Sequence, residues 1–122
     1  MTAPFLKADT DNRRVYGVAL EADVTDRQGD VVSDRELEEA ACRAVLNAVP
    51  AGVNHDRIGV GKLVASFPMT REIQQALGIN LGRSVWLVGF EITDEGTWQS
   101  VKRGELKAFS IGGTGKRSRT NG

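Results

Sequence analysis

Two residues in this chain have the chemistry of a nucleophile and its base. A serine hydroxyl attacks a carbonyl when a neighbouring base takes its proton, and the base that works best near neutral pH is histidine. The chain has one histidine, His55, in Val53-Asn54-His55-Asp56-Arg57. The serine of interest is Ser110, in Glu105-Leu106-Lys107-Ala108-Phe109-Ser110-Ile111-Gly112-Gly113. Read as a strand, this stretch puts Phe109 and Ile111 on one face and Ala108, Ser110 and Gly112 on the other. The apolar pair anchors the strand, and the hydroxyl stands alone on a face of small residues. Gly112 and Gly113 give backbone amides the freedom to point at a developing oxyanion, although the same glycines also suit an ordinary turn. A half-buried strand serine and a single histidine are each common without catalysis. Spacing alone does not bring the two together.

Other chemistries have less support. Cys42 is the only cysteine, which removes disulfides and structural zinc, and no His-x-x-x-His pair offers a catalytic metal site. Cys42 itself is expected as a packed, inert thiol. Asp23, Asp26 and Asp30 cluster, but the glycine and the terminal glutamate of a calcium loop are not at the required spacing. Gly59-Val60-Gly61 lacks the third glycine and the lysine-threonine pair of a phosphate cradle. Sixteen basic and sixteen acidic residues cancel, so no net field draws the chain to nucleic acid or an anionic membrane. The apolar runs are too short to span a bilayer, and the N-terminus lacks the basic-then-apolar layout of a secretory signal, so a cytosolic chain is expected.

The elements that must position these residues fit one domain of 122 residues. Residues 1–13 read as a loose lead-in, 14–115 as the folded domain and 116–122 as a flexible basic tail. Residues 14–21 read as the first strand, buried on both faces near its middle. Ser33-Asp34-Arg35-Glu36 is a capping box that starts a helix with a stripe of Leu37, Ala40, Ala41, Ala44, Val45 and Ala48, stopped by Pro50 and Gly52. A strand follows over 58–67, with Gly59 and Gly61 bending it or admitting a close backbone, and Pro68 closing it. Residues 70–77 form short helical turns, 83–92 the central strand with Trp86 in the core, and 95–102 a helix capped by Thr93 or Asp94 and stopped by Gly104. That helix delivers the chain into the Ser110 strand.

The run Ser84-Val85-Trp86-Leu87-Val88-Gly89-Phe90-Glu91-Ile92-Thr93-Asp94-Glu95, then Trp98, Val101-Lys102-Arg103-Gly104-Glu105-Leu106 and Phe109-Ser110-Ile111-Gly112-Gly113, closely resembles the XkdF-like branch of the tailed-phage prohead proteases. So do Tyr16-Gly17-Val18, Leu20-Glu21, Asp26-Arg27-Gln28-Gly29-Asp30-Val31-Val32-Ser33 and a helix leading to a histidine. The resemblance runs from about Val15 to Gly115 and keeps the order of elements. It implies an α+β fold: a small, mostly antiparallel β-barrel flanked by two to three helices, similar to the herpesvirus assemblins. It also implies a cofactor-free, metal-free serine endopeptidase of capsid maturation, with Ser110 as nucleophile and His55 as base. Its substrates would be phage scaffold and major capsid protein, inside a procapsid assembling in the host cytoplasm, with a homodimer as the assembly to test and neither membrane nor nucleic acid as partner.

The third member of the triad stays open. Herpesvirus-like triads draw it from downstream of the serine, where this chain offers no second histidine. The orienting group is then an acid upstream of the serine, a residue of a longer parent chain, or absent, with the pair working as a dyad. Among the acids Asp30 and Glu91 are the alternatives, with Asp56 disfavoured because it points away from its neighbour His55 in an extended segment. Two other functions compete: an inactive assembly module that binds scaffold or capsid protein, and a structural domain tethered to the genome by its basic tail.

Overall fold

The computed structural model describes residues 2–9, 11–25, 29–53 and 57–111. Six strands and three helices follow in the order β1 (Thr2–Asp9), β2 (Arg14–Glu21), α1 (Asp34–Leu46), β3 (Ala51–Val53), β4 (Arg57–Met69), α2 (Arg71–Leu77), β5 (Val85–Ile92), α3 (Glu95–Lys102) and β6 (Ala108–Ile111). Every strand pair is antiparallel. The order β1-β2-β5-β4-β3-β6 closes on itself as a barrel, because β1 bonds to β2 on one side and to β6 on the other. No helix among the described residues is long and apolar enough to cross a membrane.

β1 corrects the expected loose lead-in. Local propensity is poor there, with Pro4 in the middle, but Ala3 and Phe5 face the core and the backbone is held by two neighbouring strands. Tertiary pairing supplies what propensity does not. β2 is therefore the second strand, and its burial alternates through Val15, Gly17 and Ala19 rather than covering both faces. β5 is the central strand, paired with β2 and β4 and nearly continuously buried. Trp86, only 2% exposed, donates its indole N–H to Ser66 Oγ at 2.8 Å. Ser66 in turn donates to the Ala41 carbonyl of α1 at 2.9 Å. The helix is thereby fixed to the sheet as well as packed on it.

The capping box forms as the sequence indicates: Ser33 Oγ accepts from the Glu36 amide, and Glu36 accepts from the Ser33 amide. Leu37, Ala41 and Ala44 bury, with Ala40 half-buried. The stripe ends there, earlier than expected. Val45 is 57% exposed, and Ala48 is exposed, outside the helix and in the left-handed region at φ 49°. Cys42 is exposed rather than packed, since it falls on the outer side of that narrowed stripe. The helix closes with a Schellman turn, Val49 N–H to Ala44 O at 3.0 Å and Ala48 N–H to Val45 O at 3.2 Å. Ala48 occupies the position that glycine usually fills, so Ala48→Gly is expected to raise stability by about 0.5–1 kcal/mol in urea unfolding, the relief of left-handed strain exceeding the entropy added to the unfolded chain.

Asp34 ties three elements together. Its carboxylate accepts from the Arg71 amide at 3.0 Å, the Arg71 guanidinium at 2.8 Å and the Ser84 hydroxyl at 3.0 Å. Burial alone would raise its pKa. The Arg71 amide, the Ser84 hydroxyl and the Arg71 charge outweigh that and hold it below the ordinary 3.8. A carboxylate with a lowered folded-state pKa stabilises fully above its unfolded value and loses that contribution as pH falls through the folded value. Melting temperature is therefore expected to drop more steeply below about pH 4 in the native protein than in Asp34→Asn, with the two curves converging in acid. Parallel curves from pH 7 to pH 2.5 would remove this role.

β4 runs from Arg57 to Met69, longer at both ends than expected. Pro68 lies inside it, tolerated because β3 leaves β4 after Gly61 and the strand then has a ladder on one side only. Both readings of the paired glycines hold. Gly59 has φ 80° in an irregularity where Ala51 pairs with Gly61 but Gly52 pairs with Ile58. At Gly61, a Cβ would lie 3.2 Å from the Glu91 carbonyl and 3.4 Å from the Ala51 Cβ.

Of residues 70–77, Thr70 is the cap of α2 rather than part of it, accepting from the Ile73 amide, and the helix stops at Gly78 in the left-handed region at φ 73°. α3 spans the expected residues, and Asp94 rather than Thr93 is its cap, accepting from the Thr97 amide at 2.9 Å.

Candidate active site

β6 is set by the segment that leads into it. α3 stops at the left-handed Gly104, φ 74°, and the next residues turn back onto it, Glu105 N–H to Ser100 O at 2.9 Å. The Lys107 carbonyl then accepts from the Phe5 amide at 2.9 Å, which aligns the strand with β1. Along β6 the burial alternates: Phe109 is 1% and Ile111 6% exposed, while Ala108 and Ser110 are half-buried on the opposite face. Phe109 meets the rings of Phe5 and Phe90 edge-on, at 4.9 and 6.2 Å between centroids. Burying such a ring stabilises by about 2 kcal/mol, and that anchor faces Ser110 outward.

Ser110 sits between two strands. Its backbone register partners are Thr2 in β1 and Gly52 in β3, and Pro4 lies opposite Ala108. Cross-strand partners share a face, so the positions beside Ser110 on the outer face include Gly52, Ala108 and Pro4, all small or short. Ser110 itself is half-buried, so it is not sealed in the core.

The sequence-derived partners fall out unevenly. His55 and Asp56 lie in the segment 54–56 between β3 and β4, outside the described residues, as do Gly112 and Gly113. Asp30 is exposed in the connection from β2 to α1. Glu91 is not brought to Ser110. Its strand, β5, stands three places round the closed sheet from β6, and its carboxylate is held by Arg14 at 3.1 Å. Alternation along β5 turns it outward, because its neighbours Phe90 and Ile92 are in the core.

Sequence reasoning missed β3 and with it Gly52. The available signal was the short run Ala51-Gly52-Val53 between a proline and an asparagine, too brief for a strand to be read with any force. A groove of about 570 Å³ lies between the end of α1 and β4, two places round the sheet from β6, and is lined by Val45, Pro50, Gly59, Gly61, Val64 and Thr93 among others. It does not include Ser110. Among the described residues, no group of three or more His, Cys, Asp or Glu side chains is placed to hold a metal.

The described residues form a closed antiparallel sheet that carries Ser110 on the outer face of a core-anchored strand. The chain belongs to the family described as "Putative phage serine protease XkdF", whose model matches residues 2–119. It is 29% identical over 112 residues to the phage-like element PBSX protein XkdF of Bacillus subtilis (strain 168), covering 90% of this chain and 40% of that protein. It is 28% identical over 109 residues to the uncharacterized protein YqbD of the same organism, covering 88% of this chain and 33% of that protein. The chain thus spans between a third and two-fifths of the length of these curated relatives. No solved structure matches it.

Proposed function

We propose that this chain is a serine endopeptidase of phage head maturation that cleaves scaffold and capsid proteins, with Ser110 as nucleophile and His55 as general base. The observation that carries the reading is the pairing of Ser110 with Gly52. His55 stands only three positions after Gly52 in the sequence, a reach of at most about 11 Å even when fully extended. Family membership adds the reaction class.

In this mechanism Ser110 Oγ bonds to the scissile carbonyl carbon while its proton passes to the His55 imidazole. Backbone amides at Gly112 and Gly113 receive the oxyanion. Collapse breaks the C–N bond, the imidazolium returns the proton to the leaving amine, and water then hydrolyses the acyl ester. Asp30 and Asp56 remain the candidates for orienting the imidazole. The closed sheet and three helices support a likeness to the herpesvirus assemblins, and the setting proposed is a procapsid in the host cytoplasm, with the protease working as a homodimer.

The test is incubation of the protein with scaffold and major capsid proteins from the same phage, followed by mass spectrometry. Discrete fragments with new termini are expected. Stable binding without cleavage, under conditions where the native fold is verified, would instead define an inactive assembly module.

A further inference from the structure

We infer that Thr93 is a positioning residue for the Ser110 site, acting through the bulge of β4. The inference rests on Ser110 being the nucleophile. Between Gly52–Ile58 and Ala51–Gly61, β4 carries two residues, Gly59 and Val60, for which β3 has no counterpart. Such a bulge re-aims the strand that contains it and needs something to fix its angle. Thr93 supplies that fixation, because the Val60 carbonyl accepts from both the Thr93 amide at 2.9 Å and the Thr93 hydroxyl at 3.2 Å. Val60 itself is 4% exposed, so the bulge is anchored on its inner side as well.

The chain of contacts to the nucleophile is short. Val60 is followed by Gly61, which pairs with Ala51; Gly52, next along β3, pairs with Ser110. The same bulge also sets the direction in which β4 leaves the β3–β4 connection. A shift at Val60 is therefore passed to β3, and β3 is one of the two strands that hold the serine in place. Reaction geometry is sensitive on this scale, a displacement of about 1 Å being enough to lower a rate about 100-fold.

The experiment uses a fluorophosphonate, whose phosphorus is attacked by the serine oxygen as the P–F bond breaks, fluoride leaves and the proton passes to the base. Labelling of the 122-residue chain is followed by intact mass, as a maximal rate and a half-saturating reagent concentration. Thr93→Val, which removes only the hydroxyl bond, is expected to lower the maximal rate about 10-fold with half-saturation unchanged. Thr93→Ser restores the hydroxyl and is expected within about 2-fold of the native protein. Should Thr93→Val not fold, Gly59→Ala disturbs the same bulge through its φ of 80°, with nothing within 4 Å of the added carbon, and is expected to slow labelling likewise. A Thr93→Val rate within about 2-fold of native, or a Thr93→Ser loss as large as that of Thr93→Val, overturns the inference. Label that survives Ser110→Ala overturns the nucleophile assignment instead, which keeps the two failures apart.

Discussion

Ser110→Ala is expected to abolish cleavage of scaffold and capsid protein while leaving the fold intact. Removing a serine nucleophile typically lowers turnover by a factor on the order of 10⁶, and a less complete site still loses about 10³. The structural cost is small because the lost hydroxyl is on the outer face of β6, while the anchoring side chains, Phe109 and Ile111, are on the other. Replacement of such a half-exposed group usually shifts stability by no more than about 0.5 kcal/mol. The measurement is paired: fragment yield by mass spectrometry and melting temperature on the same preparation. A variant that still cuts at the native rate refutes the assignment, whereas loss of cutting together with loss of fold reports nothing specific to the hydroxyl and contradicts the placement of Ser110 outside the core.

Gly17→Ala is expected to be the most destabilising single-methyl change in the sheet. An added Cβ would overlap the Pro4 carbonyl oxygen and stand 3.1 Å from the carbon behind it. Both are backbone atoms of β1, so no side-chain rotation relieves the overlap and the strand itself must move. Overpacking of this kind costs about 3 kcal/mol or more, a large share of the roughly 5–15 kcal/mol that hold a domain together. The damage also reaches the site, since β1 pairs with β6 from Thr2 to Pro4. Gly89→Ala provides the contrast. Its Cβ would meet the Tyr16 ring at 2.7 Å, and a ring can swing aside, so a smaller loss is expected. Urea unfolding midpoints decide the matter, and equal midpoints for the two variants would contradict the geometry.

The parts of this fold that were legible in the sequence are those fixed by local chemistry. Ser33 and Glu36 announce α1, Asp94 and Gly104 bracket α3, and the apolar run through Trp86 and Phe90 can only be a strand buried on both faces. The outward aim of Ser110 follows from the two-residue period of β6 and needed no tertiary information. β1 and β3 were hidden for the opposite reason. One contains a proline and few inward apolar residues, the other is three residues long, and each is a strand because its neighbours bond to it. The flank of the site was hidden with them: that Gly52 should lie beside Ser110 depends on a pairing between distant segments. Glu91 shows the limit from the other side. It was one of the acids left open for orienting the imidazole, and the strand order shows that its strand lies three places round the sheet from β6.

The hydrogen-bonded seam between β1 and β6 has a consequence for when reactivity arises. Thr2 is synthesised well before Ser110, so the seam joins stretches made far apart in time. Until that late stretch emerges, the sheet is an open curl with an unzipped border and no seated alcohol. Under the proposed function, synthesis itself thus imposes a delay, because a nascent chain that has not yet extruded β6 has no hydroxyl seated for attack.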